Sequence, residues 1–450
     1  MHAHDAQMKY RAFTNRDIHR LPQLEKLAKN DKDLIHAVSQ VLPFRVNNFV
    51  IENLIDWDNV PNDPIFQLTF PQPGMLAEED LNRIMTLIHA GADKETMKKA
   101  TYAIQMKLNP HPADQLQLNL PKEQGKTVEG IQHKYRETVL FFPAQGQTCH
   151  AYCTYCFRWA QFIGIEDLKL ATREAMGLVN YLQNHPEVSD VLVTGGDPMI
   201  MKTKVLRRYI EPLLDPALET LKSIRIGTKA PAYWPFRFVT DPDADDLLRL
   251  FEQAVKAGKH VAVMAHYSHP IELEHPMARE AVRRIQATGA VIRCQAPLIK
   301  YVNDDPAIWR EMWQKEVDLG MVPYYMFVER DTGPNVYFEV PLIQALNIFT
   351  SALSRVSGLA RTVRGPSMST SPGKVLIDGV TTMGDQKVFA LKFIQARDPD
   401  WTNRLFFANF DENAHWLTDL EPAFSDRFFF EKDLATLKKE SQQDLALAPA

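Results

Sequence analysis

The stretch Thr138-Val-Leu-Phe-Phe-Pro143, followed by Cys149-His-Ala-Tyr-Cys153-Thr-Tyr-Cys156, decides the fold. Its first six residues are apolar, β-branched or aromatic, which is typical of a short buried strand. Five further runs of this texture follow, and helix-length segments separate them. We therefore predict six strand–helix alternations. The later strands are expected at 191–194, 224–228, 260–266, 290–296 and 321–328, and helices at 173–184, 244–257, 275–288 and 306–319.

Three glycines indicate where the predicted helices end. Gly258, Gly289 and Gly320 stand where a left-handed residue commonly terminates a helix. Strands that alternate with helices pair in parallel through right-handed crossovers. Polar residues recur just after the carboxyl ends of several strands, where barrel enzymes build their active sites. The pattern favours an α/β fold, a partial (β/α)6 TIM-like barrel, over an open doubly wound sheet, which would show this feature at fewer strands.

The regions on either side of these alternations have a different texture. Residues 1–130 alternate helix-like stretches with proline-rich breaks and predict a mostly helical region. The barrel is expected over 131–345, followed by a C-terminal region at 346–450. An amphipathic helix at 341–356 crosses that second boundary. After it we expect a Ser-, Pro- and Gly-rich loop at 364–374, short strands at 375–376 and 388–393, and a helical last segment.

The composition is that of an ordinary globular protein. The chain has 450 residues, of which 45% are hydrophobic and 24% charged, with a formal net charge of −5. This charge gives no indication of nucleic-acid binding, which requires clustered basic residues. No apolar run approaches the ~18 residues that cross a bilayer, and the first residues lack the layout of a signal peptide. We expect a cytoplasmic protein that binds neither nucleic acid nor membrane.

Three of the four cysteines fall in the spacing Cys-x3-Cys-x2-Cys, at Cys149, Cys153 and Cys156. Thiols packed this closely suggest a metal rather than a disulfide framework. Three thiolates can bind three irons of a 4Fe–4S cluster and leave the fourth iron open for S-adenosylmethionine, whereas electron-transfer clusters use four cysteines. The alternative is zinc with His150 or a distant residue as fourth ligand, but the second ligand pair typical of such sites is missing. We expect Cys294 to be a buried structural thiol.

Gly195-Gly196-Asp197 directly follows the second predicted strand. Glycines at a strand end allow a ligand to approach the backbone closely, and the carboxylate of Asp197 can accept hydrogen bonds from an ammonium group. Alone, this tripeptide indicates only a turn. Its position one strand after the cysteines favours a binding role.

Taken together, these motifs resemble the lysine 2,3-aminomutase family, whose members are radical S-adenosylmethionine enzymes that also use pyridoxal phosphate. The resemblance covers about 41–375. It implies an isomerase that interconverts an α-amino acid and its β-amino isomer, a flavodoxin- or ferredoxin-like electron donor, and a homo-oligomer. The motifs that carry it are Pro61-Asn-Asp-Pro64, the cysteine motif, Gly195-Gly196-Asp197, Arg225-Ile-Gly-Thr228, His266-x-x-His-Pro270, Gln295 and Val302-Asn-Asp304.

The resemblance also implies roles for individual residues around pyridoxal phosphate. Lys374, in Ser371-Pro-Gly-Lys374-Val, matches the lysine that forms the Schiff base. Lys134 and Tyr135 match an Arg-Tyr pair that binds the phosphate, while a further family arginine aligns with Thr138. Because lysine lacks the bidentate fork of arginine, phosphate binding must differ in detail. Arg136 is a candidate for the missing charge.

Other matches concern the substrate and the nucleoside. Arg158 matches the family arginine that pairs with the α-carboxylate of the substrate, which a planar guanidinium suits. Arg225, Thr228 and Gln295 match residues near the nucleoside of S-adenosylmethionine. His266 and His269 follow the fourth strand, and we assign them no role.

The residues that should recognise the side chain of the substrate depart from the family pattern. Lysine-specific members hold the distal ammonium with two aspartates, the first of which matches Asp304. The second aligns with Arg330, whose charge would repel lysine. A one-residue shift would bring Asp331 there instead. The substrate is therefore an α-amino acid that need not be lysine.

Two rival hypotheses belong to other classes. One is a radical enzyme of the same family that modifies another amine, a peptide or a nucleotide without pyridoxal phosphate and without amino migration. The presence of Lys374 and Arg158 argues against it. The other is a zinc- or iron-stabilised scaffold without catalytic activity, for which an open coordination position has no purpose.

Overall fold

A computed structural model describes residues 8–123, 125–163 and 170–446, and the side chains up to 441. In the N-terminal part of the chain, two short antiparallel strand pairs accompany six helices among the described residues. Its described elements are β1 Ala12–Thr14, α1 Lys29–Val41, β2 Arg45–Asn47, α2 Asn48–Asn53, α3 Pro64–Thr69, α4 Glu78–His89, α5 Lys94–Lys107, α6 Gln115–Leu118, β3 Lys122–Glu123 and β4 Lys126–Thr127.

The middle of the chain alternates strands with helices. All six predicted strand runs form strands, from β6 to β11. Their apolar side chains are buried because each strand is covered by the helices that connect it to its neighbours. The elements are β5 Ile131–Tyr135, β6 Thr138–Phe141, α7 Met176–Asn184, β7 Asp190–Val193, α8 Thr203–Ile210, β8 Ser223–Thr228, α9 Ala230–Tyr233, α10 Ala244–Lys256, β9 His260–His266, α11 Pro276–Ala287, β10 Val291–Leu298, α12 Pro306–Asp318, β11 Val322–Val328, α13 Asn335–Phe338 and α14 Leu342–Leu353.

The three predicted cap glycines end their helices in the left-handed conformation. The φ angles of Gly258, Gly289 and Gly320 are 82°, 86° and 72°. These values favour glycine, which lacks the Cβ that makes positive φ costly. Each glycine turns the chain directly into the strand that follows, so strands β9, β10 and β11 begin at the same edge of the sheet.

The C-terminal region extends the same sheet with longer strands than its sequence predicts. The hairpin of β13 and β14 has two strands of 11 residues, instead of two short runs. Its outer half is exposed and carries Thr381, Thr382 and Met383, so it lacks the apolar run by which buried strands are recognised. The described elements are β12 Arg364–Ser369, β13 Gly373–Met383, β14 Gln386–Ala396, β15 Leu405–Asn409 and α15 Glu431–Ala446.

One mixed sheet of 11 strands runs through the molecule in the order β15-β14-β13-β12-β11-β10-β9-β8-β7-β6-β5. Strands β6 to β12 are parallel to one another, whereas β5 pairs with β6, and β13 with β12, in antiparallel orientation. The mixed α/β class is therefore confirmed. In the described part of the chain the ladder does not close, since β5 and β15 are its edges. The Lys134 side chain of β5 nevertheless donates a hydrogen bond to O of Thr370, between β12 and β13.

Two apolar cores support this sheet. The larger joins the N-terminal helices, the parallel strands and their connecting helices. The smaller lies on β13 to β15 and includes Phe389, Phe393 and Trp401. Within the described ranges, no helix combines the length and the apolar character needed to span a membrane.

Candidate active site

A cavity of about 330 Å³ opens at the carboxyl ends of the parallel strands, and its volume suits a small-molecule ligand. Side chains from β5 and β6 through β11, and from β13, line it. Every predicted site residue except Asp304 lies in this lining. These residues are Lys134, Tyr135, Cys149, Cys153, Cys156, Arg158, Gly195, Gly196, Asp197, Arg225, Thr228, Gln295, Arg330 and Lys374.

The three cysteines lie on the loop that follows β6. Backbone hydrogen bonds fix this loop to the N-terminal region, from N of Tyr152 to O of Arg45 (2.8 Å) and from N of Thr154 to O of Leu68 (2.9 Å). Burial, and after it the neighbouring Cys153, raise the pKa of Cys156 to about 12. Several negatively charged thiolates buried together are stable only if a cation compensates their charge.

The arrangement of these thiols does not suit a single metal ion. Among the described residues, no three His, Cys, Asp or Glu side chains are placed to hold one ion. Thiolates that each bind a different iron of a cubane stand farther apart than ligands of one zinc. Cys294 is buried and lies apart, with its sulfur 3.8 Å from that of Met321, as expected for a structural thiol.

The two glycines after β7 pack against the cysteine loop. A Cβ on Gly196 would lie 2.6 Å from N and O of Thr148, directly before Cys149. Gly195 has a φ of 145° and would meet Gln147. The close approach that glycine allows here is therefore between two backbone segments, and it presses the cysteine loop onto the end of β7.

Asp197 connects the ends of two neighbouring strands. Its carboxylate accepts hydrogen bonds from Thr228 Oγ1 (2.7 Å), N of Met199 (2.9 Å) and N of Lys229 (3.0 Å). Burial raises the pKa of Asp197 to about 6, against the effect of these bonds. Three acceptor positions are thus occupied by the protein itself, and the residue holds β7 and β8 in register at the cavity.

The sequence predicts Lys374 at the end of a loop. In the structure it is instead the second residue of β13. Its Nζ lies 4.1 Å from the ring centroid of Tyr325. Burial, together with Arg225, Arg364 and Arg330, lowers the pKa of Lys374 to about 7. An amine that is about half neutral near pH 7 can act as a nucleophile, which an ordinary lysine at that pH does not.

Cationic side chains gather around Lys134 and Tyr135. Burial, and then Arg397, Arg330 and Lys374, lower the pKa of Lys134 well below its ordinary value. Arg397 donates to O of Ser371 and to O of Leu118, and burial lowers its pKa to about 10. An excess of buried cations favours a bound anion. Sequence reasoning missed Arg397 because no motif marks it.

Arg136 does not join this cluster. Its side chain is 60% exposed and pairs with Glu137. The expectation that it supplies the missing phosphate charge is therefore wrong, because its side chain points to solvent from the turn between β5 and β6. Thr138, where the family has an arginine, donates from Oγ1 to Asp190 (2.9 Å).

Arg158 lies next to the cysteines and is only 8% exposed. Its guanidinium carbon lies 4.7 Å from the ring centroid of Phe142 and 4.9 Å from that of Phe157. Its Nη1 is buried without a hydrogen-bond partner in the described part of the chain. Burial lowers its pKa to about 10. This arginine has donor capacity left for a ligand.

The three residues expected near the side chain of the substrate lie in different places. Arg330 lines the cavity and donates from Nη2 to O of Ser369 (3.0 Å). Asp331 is not in the lining, and both its O and its Oδ2 face Nδ2 of Asn109. Asp304 accepts from N of Tyr301 (3.1 Å), outside the lining. The arginine, and neither aspartate, faces the cavity.

Each residue matched to the nucleoside pairs with a neighbouring side chain. Arg225 makes a two-point ion pair with Asp190. Gln295 Nε2 lies 3.1 Å from Nε2 of His266, and burial lowers the pKa of that histidine to about 3. Sequence reasoning also missed Lys229, which lines the cavity beside Thr228 and pairs with the buried Glu272 at 2.7 Å.

Curated relatives now give this cavity a family context. The chain is 32% identical over 399 residues, 88% of its length, to an Aquifex aeolicus protein named "Putative L-lysine 2,3-aminomutase", and it covers 92% of that protein. The chain belongs to the lysine 2,3-aminomutase family. It also matches the L-lysine 2,3-aminomutases of Methanococcus maripaludis (26% identity, 54% of this chain and 52% of the relative) and Clostridium subterminale (25%, 61% and 62%).

The family assignment rests on these relatives alone, and not on comparisons of structure or of family models. The chain matches Streptococcus suis SuiB bound to its precursor peptide SuiA with a TM-score of 0.34 and 12% identity, over 57% of this chain and 49% of that one. It matches the radical S-adenosylmethionine methyltransferase TsrM from Kitasatospora setae with a TM-score of 0.31 and 14% identity, over 57% and 51%. No family model matches the chain.

The residues present fit the cofactors that the lysine 2,3-aminomutase family implies. Cys149, Cys153 and Cys156 offer three soft donors without a fourth thiolate in the cavity. Lys374 offers an amine of lowered pKa, and the cations around Lys134 offer charge to a phosphate. Both sets line the same cavity, so the two cofactors would meet there.

Proposed function

We propose that this chain is a radical S-adenosylmethionine, pyridoxal-phosphate-dependent 2,3-aminomutase acting on an α-amino acid. The observation that carries the proposal is that Cys149, Lys374 and Arg158 line one cavity. These residues come from a loop after β6 and from β13, more than 200 positions apart in the sequence. Their presence in one cavity supports a reaction that needs three groups together: an iron–sulfur cluster, a Schiff-base lysine and an arginine that binds a carboxylate.

We propose the following scaffold for this site. The parallel strands β6 to β11 form a partial (β/α)6 TIM-like barrel within residues 131–345. A mostly helical N-terminal region, 1–130, supports the cysteine loop, and a C-terminal region, 346–450, carries Lys374. The hydrogen bond from Lys134 to Thr370 supports a curved sheet, because it links the first strand to the β12–β13 connection across the cavity.

The first task of the chain is to hold the two cofactors. The three cysteines would hold a 4Fe–4S cluster, and Thr228 and Gln295, which line the same cavity, would contact S-adenosylmethionine. Lys134 and Tyr135 would bind the phosphate of pyridoxal phosphate. When bound, the cluster with S-adenosylmethionine supplies hydrogen-atom abstraction, and pyridoxal phosphate supplies the ring across which the amino nitrogen moves.

The second task is to bind and orient the amino acid. Because the pKa of Lys374 is lowered to about 7, its Nζ is the amine that would hold pyridoxal phosphate and be replaced there by the amine of the substrate. Arg158 clamps the α-carboxylate through the donors that the protein leaves free. The aromatic rings of Phe142, Phe157 and Tyr325 surround these groups, and they reduce access of water to reactive intermediates.

Anaerobic reconstitution tests the proposal. Iron and sulfide are expected at about four each per chain, with a visible absorbance band of a pyridoxal imine. Reduced enzyme supplied with S-adenosylmethionine is then incubated with each common amino acid, and β-amino isomers are sought by mass spectrometry. Cys156→Ala should lose iron and Lys374→Ala the imine band.

Three results would speak for other functions. Zinc in place of iron would indicate a structural site. Iron and sulfide without an imine band would indicate a radical enzyme that works without pyridoxal phosphate. Absence of a β-isomer from every amino acid, in a sample that contains both cofactors, would refute the aminomutase activity.

A further inference from the structure

Two arginines that line the cavity share one aromatic ring. The guanidinium carbon of Arg158 lies 4.9 Å from the ring centroid of Phe157, and that of Arg330 lies 4.6 Å from it. The cavity therefore has two separate cationic groups, both next to Phe157.

Both guanidinium groups keep donors that the protein does not use. Nη1 of Arg158 and Nε of Arg330 are buried without a hydrogen-bond partner among the described residues. A buried donor left unsatisfied is costly, so such groups commonly await a ligand. A planar guanidinium fork matches a carboxylate in geometry and charge. Each arginine thus has the donors to take one carboxylate.

The aspartates near Arg330 in sequence do not use its free donor. The backbone O of Asp331 accepts from Nδ2 of Asn109 (2.5 Å), and its carboxylate lies outside the cavity lining. Asp304 accepts from N of Tyr301 instead. A substrate with an ammonium group at the end of its side chain would find a like charge at Arg330, which opposes binding.

We propose that the substrate is an α-amino dicarboxylic acid, whose α-carboxylate binds Arg158 and whose side-chain carboxylate binds Arg330. This assignment rests on the proposed function and names its substrate class. The reaction is an isomerisation: the C2–N bond breaks, a C3–N bond forms, and one hydrogen atom moves from C3 to C2, without net oxidation. Aspartate would return its own constitution, so L-glutamate and L-2-aminoadipate are the informative probes.

A different anion is the main competitor for Arg330. Arg330 donates to O of Ser369, and Lys134 donates to O of the adjacent Thr370. Arg330 therefore lies near the cations that would bind the phosphate of pyridoxal phosphate. The buried Nε and the shared ring with Arg158 favour the carboxylate, and the experiment below separates the two.

The test measures amino-acid binding to the anaerobic holoenzyme by the change in imine absorbance. L-Glutamate and L-2-aminoadipate should bind at least about thirtyfold more tightly than L-glutamine and L-lysine, because a buried charge pair is lost with the latter two. Reduced enzyme should convert L-glutamate to 3-aminopentanedioate, detected by mass spectrometry.

Matched variants assign this selectivity to one side chain. R330M should weaken the binding of L-glutamate about thirtyfold relative to the wild type, and it should leave the affinity for L-glutamine within about twofold. R330K should restore part of the preference, which shows that the variants fold. R158M should weaken the binding of L-glutamate and of L-glutamine by the same factor. The exposed Arg136 supplies the control R136M, which should match the wild type.

Each other outcome overturns the assignment. Lysine or glutamine bound as tightly as glutamate would refute the dicarboxylate, and so would an R330M variant that weakens all amino acids equally. An R330M variant that loses affinity for pyridoxal phosphate but not for pyridoxal would assign Arg330 to the phosphate. Failure of the proposed function has a different signature, because then neither an imine band nor a β-isomer would be found with any amino acid.

Discussion

At Lys374, burial and three arginines act on the pKa in the same direction. The pKa falls from its ordinary value of 10.5 to about 7, so the amine is half neutral near pH 7. The rate of imine formation with pyridoxal phosphate should therefore rise between pH 6 and 8 and level off above pH 8. Stopped-flow absorbance on the protein freed of pyridoxal phosphate measures this profile.

The pH profile of imine formation depends on the arginines as well as on the lysine. Arg364 lies 5.0 Å from the ring centroid of Tyr325, the same ring that Lys374 approaches. Replacing Arg364 by Met should move the midpoint to higher pH, because one positive charge is removed. Lys374→Ala should form no imine. A midpoint near pH 10 in the wild type would contradict the environment described for Lys374.

The close packing of Gly196 against the cysteine loop leads to a second prediction for a single residue. A Cβ there would overlap backbone atoms of Thr148, so Gly196→Ala must displace the cysteine loop. We expect a loss of about 1–3 kcal/mol in the free energy of unfolding, together with lower iron content after reconstitution. Denaturant titration and iron analysis measure the two effects.

The matched control for this substitution is Gly177 in α7. An added Cβ at Gly177 meets no atom within 4 Å, and the residue is exposed. Gly177→Ala should stabilise the protein by up to about 1 kcal/mol, since alanine favours helices, and should leave iron content unchanged. Equal behaviour of the two variants would show that the loop after β7 has room to adjust.

Among the elements, β2 and α2 have an unexpected importance for the cysteine loop. Asn47, at the end of β2, is fully buried and donates from Nδ2 to O of Tyr233 (2.9 Å) and to O of His150 (3.3 Å). Its Oδ1 accepts from N of Val50 and caps α2 (3.0 Å). One side chain thus joins the N-terminal region, the loop between β8 and β9, and the cysteine loop.

Asn47→Ala should therefore affect both folding and metal retention. We expect a loss of about 2–4 kcal/mol, because two carbonyl groups and one N–H lose a buried partner. The reconstituted variant should release iron to a chelator faster than the wild type. Asn59→Ala, at an exposed position, should change stability by less than about 0.5 kcal/mol. Normal iron retention in Asn47→Ala would show that the cysteine loop holds itself.

The predictability of elements from sequence follows from where their side chains lie. In strands β6 to β11 the residues that face the connecting helices are apolar and buried, so each strand appears as an apolar-rich run, and the glycines that precede three of them mark helix ends. The β13–β14 hairpin is buried only near its base, and its exposed half carries polar residues without alternation. Its length comes from pairing along the whole hairpin, which a local pattern does not reveal.

At the scale of the whole molecule, the site depends on contacts between distant segments. The cysteine motif can be recognised from the sequence because its three residues lie within eight positions of one another. Whether Asp304 or Arg330 faces the cavity depends on how turns at two strand ends are directed. Arg397 reaches the cation cluster through hydrogen bonds to Leu118 and Ser371. Such convergence is set by tertiary packing, so only the folded chain reveals it.

Because the cavity is lined by strands from β5 to β13, one bound ligand should stabilise most of the sheet together. At one hundred times its dissociation constant, pyridoxal phosphate should add about 2.7 kcal/mol to the free energy of unfolding, and the melting temperature should rise with its concentration. Lys374→Ala removes the imine but keeps Lys134 and Tyr135, so a smaller shift with pyridoxal phosphate should remain. Pyridoxal, which lacks the phosphate, should give that variant no shift. If it does, the cations around Lys134 do not bind the phosphate, and the ring alone accounts for binding.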